Sequence, residues 1–138
     1  MDEMKNHLSY LSRFYEPKIT AYEFLKCFFA YLYKLDLKQI DRDLVGFLFE
    51  QKQKHENEEV MEEINFKSNG VNYFSDDFED ALYNLQNGGL LGKMNPSFGV
   101  IIIKYTDTEA NEAISSIDKK YQILIENIAK NYIAMTKI

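Results

Sequence analysis

One cysteine, Cys27, stands in the 138 residues, and with no second thiol to pair it a disulfide framework is excluded. It lies within an apolar stretch, so a buried structural thiol is expected in preference to a reactive one. Histidine is almost as scarce: His7 falls in an N-terminal helical pattern and His55 in a Glu-rich stretch. Neither has a second His or Cys at ligand spacing, which argues against a zinc site, and their settings argue for surface roles over catalysis. The expectation is therefore a noncatalytic chain with no catalytic residue, no metal and no cofactor. No apolar run approaches the roughly 20 residues of a membrane span. The first ten residues, MDEMKNHLSY, carry acids where a signal peptide carries a basic start and an apolar core. A cytoplasmic protein without a membrane partner is expected. Basic residues are outnumbered, 16 Lys and Arg against 22 Asp and Glu, and the net charge of −6 disfavours nonspecific binding to nucleic acid.

What the chain does hold is apolar and aromatic: 46% hydrophobic and 14% aromatic residues suffice for one core, so a single domain over residues 1–138 is expected. Its organising stretch is residues 20–36, TAYEFLKCFFAYLYKLD. Phe24, Cys27, Phe28, Tyr31 and Leu35 form one helical stripe and Leu25, Phe29 and Leu32 a second, leaving Lys26, Ala30, Tyr33 and Lys34 for water. Such a helix needs partners on at least two sides. Thr20 with Glu23 makes a capping box, Ile19 with Phe24 a hydrophobic staple, and Pro17 breaks the helix from what precedes it.

Upstream, Met4, Leu8, Leu11 and Tyr15 share a face with Phe14 beside it, predicting an amphipathic helix over residues 2–15. Downstream, Asp36 with Gln39 reads as a second capping box, opening a helix to about residue 52 through Ile40, Leu44, Phe47 and Leu48. Residues 50–63 then hold six Glu against two Lys, and a solvated helix end or loop is expected. In INFKSNGVNYF the polar and apolar residues alternate around Asn69-Gly70, a hairpin signal; with those two as the turn, Phe66 pairs with Tyr73. Ser75 or Asp76 caps a helix buried along Phe78, Leu82 and Leu85 and ended by Asn87-Gly88-Gly89. Leu90-Leu91 and residues 100–103 read as two strands flanking the loop GKMNPSFG. Thr106 and Glu109 make a third capping box, after which Ile114, Ile117, Tyr121, Ile125, Ile128, Tyr132 and Met135 recur at helical spacing, as one helix or as two broken near residues 115–118. The string GGLLGK at 88–93 is one residue short of a phosphate loop, follows a helix and precedes a strand, so it is read as a coincidence.

This order, two helices, a strand pair, a helix and a two-stranded ribbon with a long tip, resembles the winged-helix fold over residues 20–105. The carriers are the helix over residues 75–87, in the place of a recognition helix, and the ribbon over 90–105, in the place of the wing. The C-terminal helix, 106–138, matches the dimerisation helix of many small bacterial winged-helix regulators. The fold class expected is thus α+β, mainly α: a winged-helix-like helical domain with a small hairpin, a β-ribbon wing and a long C-terminal helix. The connection of about twenty residues before the recognition-helix position is far longer than the three or four of a helix-turn-helix.

The resemblance implies DNA binding, and the charge opposes it. The helix over 75–87 contains no basic residue and begins with Asp76, Asp77, Glu79 and Asp80, which suit the helix dipole but repel phosphate. Asn84, Gln86, Lys93, Asn95 and Ser97 are the residues through which DNA contact would run. The function expected is a small cytoplasmic adaptor, antitoxin-like or regulatory protein that binds another protein through the acidic helix face or through the C-terminal helix. The alternatives are a dimeric winged-helix transcription regulator, with Tyr121, Ile125, Ile128, Tyr132 and Met135 as the seam of a homodimer, and an inhibitor presenting its acids, including those of residues 56–63, to a basic nucleic-acid-binding protein. For that C-terminal seam, packing on the chain's own core is the competing expectation.

Overall fold

The stretch over residues 20–36 forms α1, Ala21–Lys34, in a computed structural model that describes residues 19–41, 44–92 and 100–136. It is followed by β1 (Gln39–Asp41), α2 (Leu44–Lys52), a single 3-10 turn (His55–Asn57), the strands β2 (Lys67–Ser68) and β3 (Tyr73–Phe74), α3 (Asp76–Asn87), β4 (Val100–Ile102), α4 (Asp107–Ser115) and α5 (Lys119–Thr136). The fold is α+β and mainly helical, as expected. The helix read over residues 2–15 and the loop residues Lys93, Asn95 and Ser97 lie outside the described residues.

Both ends of α1 are fixed locally. Thr20 Oγ1 accepts from the Glu23 N–H and the Glu23 carboxylate accepts from the Thr20 N–H, each at 3.0 Å, and Ile19 is buried ahead of them. At the other end the Leu37 N–H reaches the Leu32 carbonyl and the Asp36 N–H that of Tyr33, both at 3.0 Å, with Asp36 left-handed at φ +67°. These are the two bonds of a Schellman cap. Between the ends, Phe24, Leu25, Cys27, Phe28, Phe29 and Leu32 are all fully buried, enclosed by α3, α4 and α5. The Phe28 ring lies 6.1 Å from that of Phe24, 5.6 Å from Phe29 and 6.3 Å from Tyr132 of α5.

Four expectations are corrected. Ala30, read as facing water, is fully buried. Tyr105 crosses that face of α1, donating to the Lys26 carbonyl at 2.6 Å and stacking on Tyr33, whose hydroxyl in turn donates to Asp107 at 2.7 Å where α4 begins. Asp36 and Gln39 do not cap a helix. Asp36 ends α1, and Gln39–Asp41 is a strand antiparallel to β4 that sets Ile40 against Ile101, both buried. A one-residue slip would turn Ile40 to solvent, so this pairing outweighs the local capping pattern. The Glu-rich stretch is not a solvated loop throughout: Val60, Met61 and the following Ile64 are buried, and the buried Asn57 donates from its amide to the Gln51 carbonyl at 2.9 Å. Finally, Phe66 does not pair with Tyr73, for reasons of turn geometry given below.

The C-terminal region divides into two helices at residues 116–118, within the expected weak point. α4 opens on the Thr106–Glu109 capping box, with its two reciprocal bonds at 2.9 and 3.1 Å. Of the two expected ribbon strands, residues 100–102 form β4, which pairs with β1, while Leu90-Leu91 forms no strand and meets the segment through one isolated bridge. Leu91 bridges Ile103, the Gly92 N–H donates to Ile102 and the Lys104 N–H to Leu90, while the Ile103 N–H turns the other way to Lys38. Residues 100–104 thus lie between β1 on one edge and residues 90–92 on the other.

Burial pushes the Cys27 thiol up from 9.0 to about 12 and, as the largest influence, the Tyr31 phenol from 10.0 to about 12. Burial also raises Tyr105 and, aided by the hydrogen bond to Glu59, Tyr121. Each group folds neutral and ionises more readily unfolded. Its contribution is complete below the unfolded value and is lost as pH climbs through the folded one.

Two outcomes are expected. Ala30→Leu overpacks the α1–Tyr105 contact and lowers unfolding free energy by about 1 to 3 kcal/mol in urea titrations, whereas a solvent-facing position would tolerate the change. Stability falls as pH rises above about 9, and Cys27→Ala flattens that fall by up to about 1.4 kcal/mol per pH unit, measured as the denaturation midpoint against pH.

Candidate interaction surface

Helix α3 is half core and half surface. Ser75 caps it, its Oγ accepting from the Phe78 N–H at 3.2 Å, and Phe78, Ala81, Leu82 and Leu85 are buried against α1. Its end is a second Schellman cap: the Leu90 N–H reaches the Leu85 carbonyl at 3.0 Å and the Gly89 N–H that of Gln86 at 3.1 Å, with Gly89 left-handed at φ +80°. With the inward face so fixed, Asp76, Glu79, Asp80, Tyr83, Asn84 and Asn87 are exposed along one outward stripe. Tyr83, 64% exposed, stands in the middle of it.

The four acids differ in what they do. The Asp77 carboxylate is half-buried and accepts from the Asn65 N–H at 2.9 Å and the Asn65 side-chain amide at 3.2 Å, so it anchors the preceding loop. Asp76 meets Lys67 of β2 at 3.2 Å, with both side chains well exposed. Such a pair is worth at most about 1 kcal/mol and serves to orient more than to stabilise. Glu79 and Asp80 complete the acidic turn on the exposed side.

The adjoining hairpin pairs Lys67 with Phe74 and Ser68 with Tyr73. Its loop is therefore the four residues 69–72, not the two-residue Asn69-Gly70 turn expected. The Asn69 side chain imposes this, its Oδ1 accepting from the N–H groups of Val71 at 2.9 Å and Asn72 at 2.8 Å, with Gly70 at φ +90°. Phe66 and Tyr73 instead meet on a third ring: Phe49 of α2 lies 5.6 Å from Phe66, edge to face, and 3.9 Å from Tyr73, stacked. Lys52 of the same helix donates to the Ile64 carbonyl and sits 5.9 Å from the Phe66 ring. Val71 is left 84% exposed at the tip, with Tyr73 and Phe74 at 44% and 42%. The hairpin, with these exposed apolar side chains, is tied to the acidic start of α3 by Lys67 and Asp76.

Of the residues that DNA contact would use, Asn84 is exposed on α3, Gln86 is half-buried, and Lys93, Asn95 and Ser97 lie outside the described residues. The C-terminal seam is not free. Tyr121, Ile125, Ile128 and Tyr132 are buried, with Tyr132 against the rings of Phe28 and Phe47 and the Tyr121 hydroxyl donating to Glu59 at 2.8 Å. These four serve the chain's own core, one of the two expectations for this stripe; Met135 is 47% exposed.

One feature escaped the sequence reading. A polar cleft of about 460 Å³ lies where α1 ends and α4 begins, lined by Tyr33, Lys34, Asp36, Lys38 and Asp107. Its lining comes from chain segments far apart, joined by the Tyr33–Asp107 hydrogen bond, which together with desolvation raises the Tyr33 phenol. Among the described residues, no three His, Cys, Asp or Glu side chains are grouped so as to hold a metal ion, and no helix is long and apolar enough to cross a membrane. No protein-family model matches the chain, and neither a curated protein nor a solved structure does.

Removing the Phe49 ring tests how the hairpin is held. Phe49→Ala loses two aromatic pairs worth about 0.5 to 1.5 kcal/mol each, and amide exchange is expected to quicken over residues 66–74 while α1 stays protected. Equal exchange in variant and parent would show the hairpin to be held without that ring.

Proposed function

We propose that this chain is a noncatalytic protein-interaction module, a small adaptor or antitoxin-like regulatory protein, that grips another protein with the surface formed by α3 and the β2–β3 hairpin. The observation that carries the proposal is the exposure of Val71, Tyr73, Phe74 and Tyr83 together with that of Asp76, Glu79 and Asp80, on a hairpin and a helix tied to each other by Lys67 and Asp76. Tyrosine and phenylalanine are the side chains that interfaces favour, because a large rigid area is buried at low entropic cost. Acids around them steer a basic partner into register and disfavour an acidic one. The partner is thus a protein whose apolar recess is rimmed by Lys or Arg. A cytoplasmic setting, where a lone thiol stays reduced, goes with this reading.

The order α1, β1, α2, α3 and then the ribbon of residues 90–104 supports a winged-helix-like description, with residues 53–75 as an insertion between α2 and α3. In that frame α3 occupies the place of a recognition helix and carries no basic residue. The alternative, a dimeric DNA-binding regulator, draws on the same strand order. It requires DNA contact through Lys93, Asn95 and Ser97 and a dimer contact away from the buried seam.

The test is affinity capture from nuclease-treated lysate of the source organism, with the full chain as bait, followed by binding measurements on the captured protein. Tyr83→Ala, or Glu79→Lys with Asp80→Lys, is expected to weaken binding about 30-fold or more, the effect of losing an interface hot spot of about 2 kcal/mol. Lys93→Glu is expected to leave it unchanged. A partner held equally by all variants sinks the proposed surface; duplex DNA binding that is abolished by Lys93→Glu favours the regulator.

A further inference from the structure

Two Asn-Gly pairs occur in the chain, Asn69-Gly70 in the hairpin loop and Asn87-Gly88 at the end of α3. Asparagine followed by glycine is the pair most open to intramolecular attack, because no side chain on the second residue blocks its nitrogen. Whether attack occurs depends on how the backbone holds the two groups, and the fold treats these pairs oppositely.

At Asn69 the loop fixes the carboxamide through its oxygen. The carboxamide folds back along the loop, and its Oδ1, which takes up negative charge when Cγ is attacked, accepts two backbone hydrogen bonds, from Val71 at 2.9 Å and Asn72 at 2.8 Å. Two N–H groups aimed at a developing oxyanion are the arrangement that lowers such a barrier. The attacking atom is the Gly70 nitrogen, whose N–H donates to the exposed Ser68 hydroxyl at 3.1 Å, a side-chain bond that rotation about one torsion releases, leaving the proton to hydroxide. Asn69, Gly70 and Ser68 are all exposed, so water and hydroxide reach them. At Asn87 the same pair is locked: Asn87 is the last residue of α3, and the Gly88 N–H donates to the Asn84 carbonyl at 3.0 Å inside the Schellman cap. Its nitrogen becomes available only when the last helical turn opens.

We infer that the hairpin loop is a built-in deamidation site, in which residues 68–72 promote conversion of Asn69 while the cap of α3 protects Asn87. The Gly70 nitrogen gives up its proton and bonds to Asn69 Cγ. The tetrahedral intermediate collapses with loss of Nδ2 as ammonia, leaving a cyclic imide. One water then opens either carbonyl, giving an aspartyl or an isoaspartyl linkage at position 69. One water is consumed and one ammonia released, with no oxidant or reductant. The product adds a carboxylate at the tip beside Val71 and, in the isoaspartyl form, lengthens the loop backbone by one atom. The inference stands whether or not the hairpin binds a partner.

The two pairs serve as each other's control. The full chain is aged at neutral pH, native and in guanidinium, and conversion is followed by fragment-resolved mass spectrometry of the tryptic peptide over residues 68–93, which holds both sites. In the native chain Asn69 is expected to convert at least about tenfold faster than Asn87, the ratio that about 1.4 kcal/mol of helix-end opening imposes; in guanidinium the two rates converge. Native Asn69 is also expected to react no more slowly than denatured Asn69. Equal native rates, a faster Asn87, or a native Asn69 slower than the denatured one overturns the inference.

Discussion

Phe28 has rings of its own helix on two sides and Tyr132 of α5 on a third, and the helix that carries it is enclosed by α3, α4 and α5. A fully buried Phe or Leu contributes roughly 1.5 to 3 kcal/mol, against a net stability of about 5 to 15 kcal/mol for a whole domain. Leaving any one wall off α1 would expose several such side chains at once. The other helices are therefore placed by the need to cover α1 before any preference of their own applies. The Thr20–Glu23 cap, at about 1 kcal/mol, decides only where the covered stretch begins.

That constraint produces the candidate surface. Because Phe78, Leu82 and Leu85 must face α1, the 3.6-residue period leaves Asp76, Glu79, Asp80 and Tyr83 on the opposite side with no choice of orientation. The hairpin is then tied to the start of α3 by Asn65 to Asp77 and Lys67 to Asp76, and to α2 by Phe49 between Phe66 and Tyr73. Its exposed side chains are held in place from two directions. Side chains so held would lose little further conformational entropy on being covered, which is the premise of the proposed interaction.

What could be read from the sequence were features closed within a few residues. The Thr20–Glu23 and Thr106–Glu109 boxes and the glycine end of α3 each involve groups three to five positions apart, and each forms as expected. The same local pattern at Asp36 and Gln39 misled, because its outcome was settled by Ile101, sixty-one positions away from Ile40 in the chain by the register Ile40↔Ile101. Ala30 misled for a related reason: a methyl group carries too little periodic signal to announce that a distant segment, the one that brings Tyr105 to Lys26 and Tyr33, will cover that face of α1. In the candidate surface the acids and Tyr83 were legible as residue types on one helix face. The diversion of Asp77 to Asn65, and the shared ring that sets the hairpin, were not, since both depend on contacts between separate elements.

The C-terminal helix shows why a periodic seam alone cannot decide between self-association and folding. Tyr121, Ile125, Ile128 and Tyr132 repeat much as they would in a coiled coil, and the period says only that this stripe is covered. Association of two chains costs an estimated 4 to 15 kcal/mol or more in lost translational and rotational freedom, at a 1 M standard state. A cover supplied within the chain avoids that cost, and α1 offers one whose own rings also need burial. Once the seam is spent there, the large apolar side chains α5 leaves exposed are Ile123 at 61% and Met135 at 47%. Twelve residues apart on one helix, they lie more than three turns from each other along the axis. Two such isolated side chains do not make the contiguous patch that a stable interface requires.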